Sequence, residues 1–248
     1  MQKIATIKPV TVDGKKCTAV VGMVVVNKDI YVLTTHSQDG SKQPCVLHKF
    51  FNNGSYKQSV IKTETGKTNI AVHANSLTYQ DHVFYMATRN GAGEKYNQII
   101  GFKSDGSVVK KIKYMHPKSK IATVNIYKGK WYITVNGGNY VKLRQVSLSG
   151  DKLTDVDERI LEFYSPKNAV GNDITIADDT IYATKTYADM ITNEINTFDL
   201  KNLWNDRKFV LKDGYSKFEV EGCYPTDSGL LICANGVSGK QDDGVWRL

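Results

Sequence analysis

The stretch VGNDITIADDTIYATK (170–185) holds two apolar runs around an Asp178-Asp179 turn, yet it opens on Asn172-Asp173. A strand would carry β-branched or aromatic residues there. HANSLTYQDHVFYMAT (73–88) repeats the pattern about a hundred residues earlier. Two copies of one unusual pattern point to an internal repeat.

Aligning the copies on Tyr85 and Tyr182 brings in VGMVVVNKDIYVLTT (21–35), ATVNIYKGKWYITV (122–135) and EGCYPTDSGLLICAN (221–235). The anchors become Tyr31, Tyr85, Tyr132, Tyr182 and Leu231, spaced by 54, 47, 50 and 49 residues. Each unit reads as a hairpin with a tight polar turn (NKD, QDH, KGK, DDT, DSG). Third runs such as VLHKFF and QIIGFK, and fourth runs such as KQSVIK, follow. Four short strands at a period near fifty predict an all-β, five-bladed β-propeller. The blades are expected at about 18–62, 71–113, 121–163, 169–211 and 218–248, in one domain over 1–248. The last unit stops after three strands, at VWRL, and KIATIKPV is left over at the start. The N-terminal strand, at 2–10, is therefore expected to complete the last blade, which removes an open sheet edge.

In a propeller the first strand of each blade lines a central channel. Ten residues before the anchors stand Val21, Asn75, Ala122, Asn172 and Glu221, with His73, Asp173 and Glu219 close by. Convergent carbonyl and carboxylate oxygens are ligands for a hard cation such as calcium. Asn75, Asn172 and Glu221 are the candidate metal ligands, and His73 and Asp173 the candidate general bases. Alternatively, the amides and carboxylates hydrogen-bond to channel backbone and water, and Glu221 pairs with a Lys or Arg. Of the other histidines, His36 and His116 fall in or near loops, His82 at a hairpin turn and His48 in a third strand. No HExxH, GxSxG or P-loop occurs.

The loops at 89–98, 185–194 and 235–244 join second to third strands, so they share one face, a natural place for ligand contacts. Tyr96, Tyr140 and Tyr187 fall near that face and are the candidate ligand-binding aromatics; most other aromatics are expected to pack between blades. Net charge is +8, from 33 basic and 25 acidic residues. That balance suits an anionic partner, but it is too scattered to point to nucleic acid, the densest run being KKIK at 110–113. There is no apolar run of membrane-spanning length. The opening MQKIATIKPV does not read as a signal peptide, so the protein is expected in the cytoplasm, or outside the cell if a leader has been removed. Cys17, Cys45, Cys223 and Cys233 lack metal spacing. A hairpin turning at Asp227-Ser228-Gly229 could bring Cys223 and Cys233 opposite each other, but buried thiols are expected ahead of a disulfide.

NDITIADDTIYAT resembles the channel strand of the calcium-dependent paraoxonase and gluconolactonase propellers. That resemblance implies a channel calcium held by Asn172, Asn75 and Glu221, with Asp173 or His73 as base; those enzymes have six blades, however. The size, the strand rhythm and the HAN and EVEG blade openings are similar to helveticin-type bacteriocin propellers. Blades just under fifty residues also resemble tachylectin-type lectins. These resemblances imply recognition of a cell-surface glycan. The expected function is thus a monomeric binding propeller for a glycan or anionic wall polymer. The alternatives are a calcium-dependent lactonase- or phosphoesterase-like hydrolase and a protein–protein scaffold.

Overall fold

The structure is a computed structural model that describes residues 1–36, 41–88, 97–114, 121–136, 141–161, 169–211, 217–238 and 243–248. No helix occurs among the described residues, and none is therefore long and apolar enough to cross a membrane. The strands group into five antiparallel blades. Blade 1 is β4 (Ala19–Val26), β5 (Asp29–Thr35), β6 (Gln43–Phe50) and β7 (Tyr56–Val60). Blade 2 is β9 (Ala74–Gln80), β10 (Val83–Thr88), β11 (Asn97–Phe102) and β12 (Val108–Tyr114). Blade 3 is β13 (Ile121–Tyr127), β14 (Lys130–Asn136), β15 (Val141–Ser149) and β16 (Lys152–Leu161). Blade 4 is β17 (Ala169–Ala177), β18 (Thr180–Tyr187), β19 (Asn193–Asp199) and β20 (Asn205–Leu211). Blade 5 is β21 (Lys217–Thr226), β22 (Gly229–Ser238) and β23 (Gly244–Arg247), completed by β1 (Gln2–Thr6). The N-terminal strand pairs antiparallel with β23, Gln2 opposite Arg247 and Thr6 opposite Gly244. The ring closes as its spare strand predicted.

Inner strands β4, β9, β13, β17 and β21 touch one another in that order and back to β4, so they line an axial channel. Near the hairpin ends all five border a cavity of about 180 Å³, with Val24, Thr78, Asn125, Thr175 and Tyr224 among its walls. Strand alternation gives each blade two apolar faces. Phe84 and Met86 pack toward blade 1, whereas Tyr85 and Ala87 pack toward blade 3. One buried cluster fills each of the five blade interfaces. Each fully buried Leu, Ile or Phe in them contributes roughly 1.5–3 kcal/mol. The repeat anchor has one job throughout. Tyr31, Tyr85, Tyr132, Tyr182 and Leu231 each pack against the following blade.

Four inner hairpins turn through two consecutive left-handed residues: Asn27-Lys28, Asp81-His82, Lys128-Gly129 and Asp178-Asp179. This is the backbone of a two-residue type I′ turn, whose twist matches that of the flanking strands. Three features were not foreseen. A small hairpin, β2 (Val10–Val12) with β3 (Lys15–Cys17), turns on Asp13-Gly14 before blade 1. A short strand, β8 (Asn69–Ala71), pairs with β6 on the way to blade 2. Blades 2 and 3 are joined at their outer edges, where β12 runs parallel to β16. Cys223 lies opposite Ile232 and Cys233 opposite Gly222, so the two thiols point to opposite faces of the sheet. All four cysteines are free and buried. The hairpin geometry therefore excludes the disulfide and leaves the expected pair of core thiols.

Candidate functional site at the channel mouth

Every inner strand carries a β-bulge near its start. Val21, Ala122 and Glu221 are each the extra residue between two paired positions, and Asn172-Asp173 and Ser76-Leu77 each stand opposite a single residue. Four of the five positions found ten residues before the anchors thus lie in bulges, and the fifth, Asn75, is paired with Ala87 beside one. A bulge leaves its extra residue out of the ladder and re-aims its side chain, which is why polar residues are tolerated there.

Several of these polar groups tie one blade to the next. Asn172 donates its side-chain amide to the Val220 carbonyl at 2.7 Å and to Thr186 Oγ1 at 3.0 Å. Thr175 donates to the Cys223 carbonyl at 2.7 Å. Asn125 donates to the Ile174 carbonyl at 2.6 Å, and Ser76 Oγ accepts from the Val124 amide at 2.9 Å. Asn235 accepts from the Val20 amide at 2.6 Å and donates to the Val20 carbonyl at 3.1 Å. Inner strands have no ladder partner on their axial side, so these side chains satisfy backbone groups that would otherwise be buried unpaired. At the junction of blades 1 and 2 the backbones themselves meet. A Cβ on Gly22 would lie 2.7 Å from the Ser76 carbonyl carbon.

Asp173 is buried, 3 % exposed, with Oδ1 accepting from the Ile174 amide at 2.8 Å. Its other oxygen lies against Gly222, where an added Cβ would come within 3.0 Å of it. Burial pushes this carboxyl well above the usual range, although the Ile174 amide pulls the other way. Glu221, on the next blade, accepts from Asn235 Nδ2 at 2.8 Å and is hydrogen-bonded to Glu219. By surface exposure it is half-buried. Burial first, then the Glu219 charge and hydrogen bond, hold Glu221 well above the ordinary carboxylate range. A second carboxylate in hydrogen-bond reach disfavours the charged form of Glu221. No ion pair reaches Asp173, Glu219 or Glu221 among the described residues. The Lys or Arg partner considered for Glu221 is therefore not the solution found; a neighbouring carboxyl and an amide are.

The remaining candidates fall as follows. Asn75 is half-buried in β9, opposite Ala87. His73 stands just before that strand with φ of 48°, half-buried. Tyr187 is half-buried and donates to Glu194 Oε1 at 3.0 Å, with the Lys185 ammonium 5.1 Å from its ring centre. Glu194 is itself held by Lys185 at 3.1 Å and Lys208 at 3.2 Å. Burial works to raise the Glu194 carboxyl, and the two lysines bring it below its ordinary value. Tyr96, Tyr140 and His116 lie outside the described residues. His48 is sealed between Thr34 and Tyr56, at 2.8 and 2.7 Å, and burial lowers its pKa to about 4. Among the described residues no three His, Cys, Asp or Glu side chains form a group able to hold a metal. A calcium here would rest on amide oxygens of Asn75 and Asn172 beside Glu221. The sequence reading noted Glu219 only as a neighbour. Its spacing of two from Glu221 was the available signal for a pair.

No protein-family model and no curated protein matches the chain. Solved structures do. A GH43 β-1,3-galactosidase is similar over 98% of this chain and 58% of its own, at 11% identity and a TM-score of 0.58. A xylan β-1,4-xylosidase from Bacillus halodurans C-125 is similar over 93% of this chain and 52% of its own, at 12% identity and a TM-score of 0.60. An exo-β-1,3-galactanase from Phanerochaete chrysosporium, solved with β-1,3-galactotriose, is similar over 94% and 60%, at 9% identity and 0.58. The chain thus spans a little over half the length of these neighbours. They lend no support to the resemblance to paraoxonase, helveticin or tachylectin propellers. What this chain shares with the solved structures is the five-bladed propeller fold.

Proposed function

We propose that this propeller recognises a glycan at the mouth of its channel, where the inner strands start. The observation that carries this reading is the Glu219–Glu221 pair: two carboxyls in the channel wall with no cation beside them among the described residues. Buried carboxyls without a charge partner are costly unless hydrogen-bond donors satisfy them. Sugar hydroxyls are such donors. Asn172 and Glu221 bring oxygen-bearing side chains from the bulges of adjacent blades, and Tyr187 on blade 4 is the aromatic this reading assigns to the ligand. The fold neighbours, a β-1,3-galactosidase, a xylan xylosidase and a β-1,3-galactanase, support the same ligand class. A glycan array followed by calorimetry on the selected oligosaccharide tests it. Glu219→Gln and Glu221→Gln should each weaken binding about tenfold or more, the scale of a hydrogen bond to a charged group. Undiminished affinity in both variants would overturn the reading.

A second reading, glycoside hydrolysis, is favoured by the proton that Glu221 retains. A carboxylic acid with a raised pKa donates to a leaving glycosidic oxygen while a second carboxylate attacks or activates water, the two standing about 5–5.5 Å or 6.5–9.5 Å apart. Glu219, in hydrogen-bond contact with Glu221, is nearer than either spacing. This reading therefore makes Glu221 the acid only; Asp173 of the neighbouring blade, buried and itself held well above the usual carboxylate range, does not supply the ionised partner. Release of nitrophenol from nitrophenyl β-xyloside or β-galactoside, abolished by Glu221→Gln, would establish it; turnover that survives the substitution would remove it. Calcium belongs to this proposal as well, since a cation would offset the charge of Glu221 beside Glu219. A calcium-dependent rise in melting temperature that Glu221→Gln abolishes supports that part, and no shift removes it.

A further inference from the structure

Two wide clefts open between neighbouring blades, and their arginines are in opposite states. The cleft between blades 3 and 4 has a volume of about 540 Å³ and contains Arg159. That guanidinium is already engaged, by Asp157 at 2.8 Å and by the Lys201 carbonyl at 2.8 Å. The cleft between blades 5 and 1, beside the strand pair that closes the ring, is larger, at about 620 Å³. Its arginine is Arg247, from β23. Arg247 forms no ion pair among the described residues, and its Nε is buried without a hydrogen-bond partner. The shielded Nε is out of reach, so it is the rest of the guanidinium, in the cleft lining, that is left to meet a group arriving from outside.

The rest of the lining specifies that group. Ile4, Val25, Ile30, Phe50 and Leu231 form apolar walls. Lys28 stands at the rim on the first type I′ turn, also without an ion pair. The neighbouring acid, Asp29, is neutralised by Lys49 at 2.8 Å. Asp227 is the one carboxylate in the described lining, so Arg247 and Lys28 leave the cleft net positive. A planar guanidinium fork matches carboxylate and phosphate oxygens in bidentate geometry. A cleft of this size holds a ligand of sugar dimensions or larger.

We propose that the cleft between blades 5 and 1 binds a small organic anion, its carboxylate or phosphate on Arg247 and its apolar face against Phe50 and Ile30. The site is separate from the channel mouth and stands whether or not that mouth binds a glycan. A uronic acid and a sugar phosphate both supply this chemistry, and the test distinguishes them. Calorimetry with glucuronic acid, glucose 6-phosphate and uncharged glucose should show binding of at least one anion and none of glucose. Whichever anion binds more tightly names the headgroup. Arg247→Gln should weaken that anion about tenfold or more. Ser228→Trp, an exposed turn substitution that fills the cleft entrance, should do the same even if Arg247→Gln fails to fold. Glu221→Gln, at the channel mouth, should leave it unchanged. Absence of binding by both anions, equal binding of glucose, or unchanged affinity in Ser228→Trp would overturn the proposal. Loss in Glu221→Gln with retention in Ser228→Trp would overturn it too, by moving the anion to the channel.

Discussion

The same five inner strands are held differently at their two ends. Near their starts, bulges take residues out of the ladder, and amides and hydroxyls such as those of Asn172 and Ser76 serve backbone groups of the next blade away from water. At their hairpin ends, tight turns meet solvent, and the cross-blade contacts are exposed ones such as Lys128 with Asp179 at 2.8 Å, both about two-thirds exposed, and the Tyr127 hydroxyl accepting from the Asp179 amide at 2.8 Å. The difference teaches where an oligomer of repeats keeps its cohesion. Contacts that water cannot replace are costly to lose, and contacts it can replace are not.

The sharpest way to break this comparison is at Gly22. Alanine there would drive a methyl into the Ser76–Leu77 backbone, 2.7 to 2.8 Å away. Backbone cannot swing aside like a side-chain tip, so Gly22→Ala should destabilise by about 3 kcal/mol, read by urea unfolding. Next comes Asn235→Ala. It leaves the Val20 amide and carbonyl and a Glu221 oxygen without their partner, and about 2 kcal/mol should be lost. A loss near zero would mean that water replaces the amide and the mouth is wetter than its packing implies.

The third test is pH. Asp173 and Glu221 hold their protons more tightly folded than unfolded. Below the ordinary carboxylate range both states are protonated and the term vanishes. Above it the unfolded chain releases protons that the folded one keeps, so stability falls as pH rises toward the raised folded values. His48 acts in the opposite direction. Its folded pKa near 4 lies below the ordinary 6.5, so stability falls as pH drops through that window. Glu221→Gln should flatten the high-pH decline and leave the acid limb unchanged; a decline of unaltered slope would free Glu221 of the burden. The smallest effect is expected from Lys128→Ala. It should scarcely move the unfolding midpoint, and less still in high salt.

Much of the architecture was legible because a propeller writes its period into the sequence. The anchors at Tyr31, Tyr85, Tyr132, Tyr182 and Leu231 could be aligned because one packing requirement recurs: that residue must fill the space toward the following blade. The Asn172-Asp173 anomaly marked a bulge near the start of an inner strand. Its two residues nevertheless do different things, and the sequence could not say so. A bulge is a mismatch in residue count between paired strands, visible only once register is known. Asn172 satisfies Val220, while Asp173 fits beneath Gly222 because that residue lacks a side chain. The Asp13-Gly14 hairpin had a legible turn signal that the fifty-residue rhythm obscured. The parallel contact of β12 with β16 had none, since no local residue pattern specifies which outer edges will meet.

The pairing of Gln2 with Arg247 has a kinetic consequence. It joins positions at nearly the full sequence separation the chain allows, and the entropy of closing so long a loop must be met before the fifth blade can bury its apolar faces. Four blades can assemble from neighbouring segments, but the ring cannot lock until β23 has been made and β1 has found it. Folding should therefore end in a slow step that senses both termini at once.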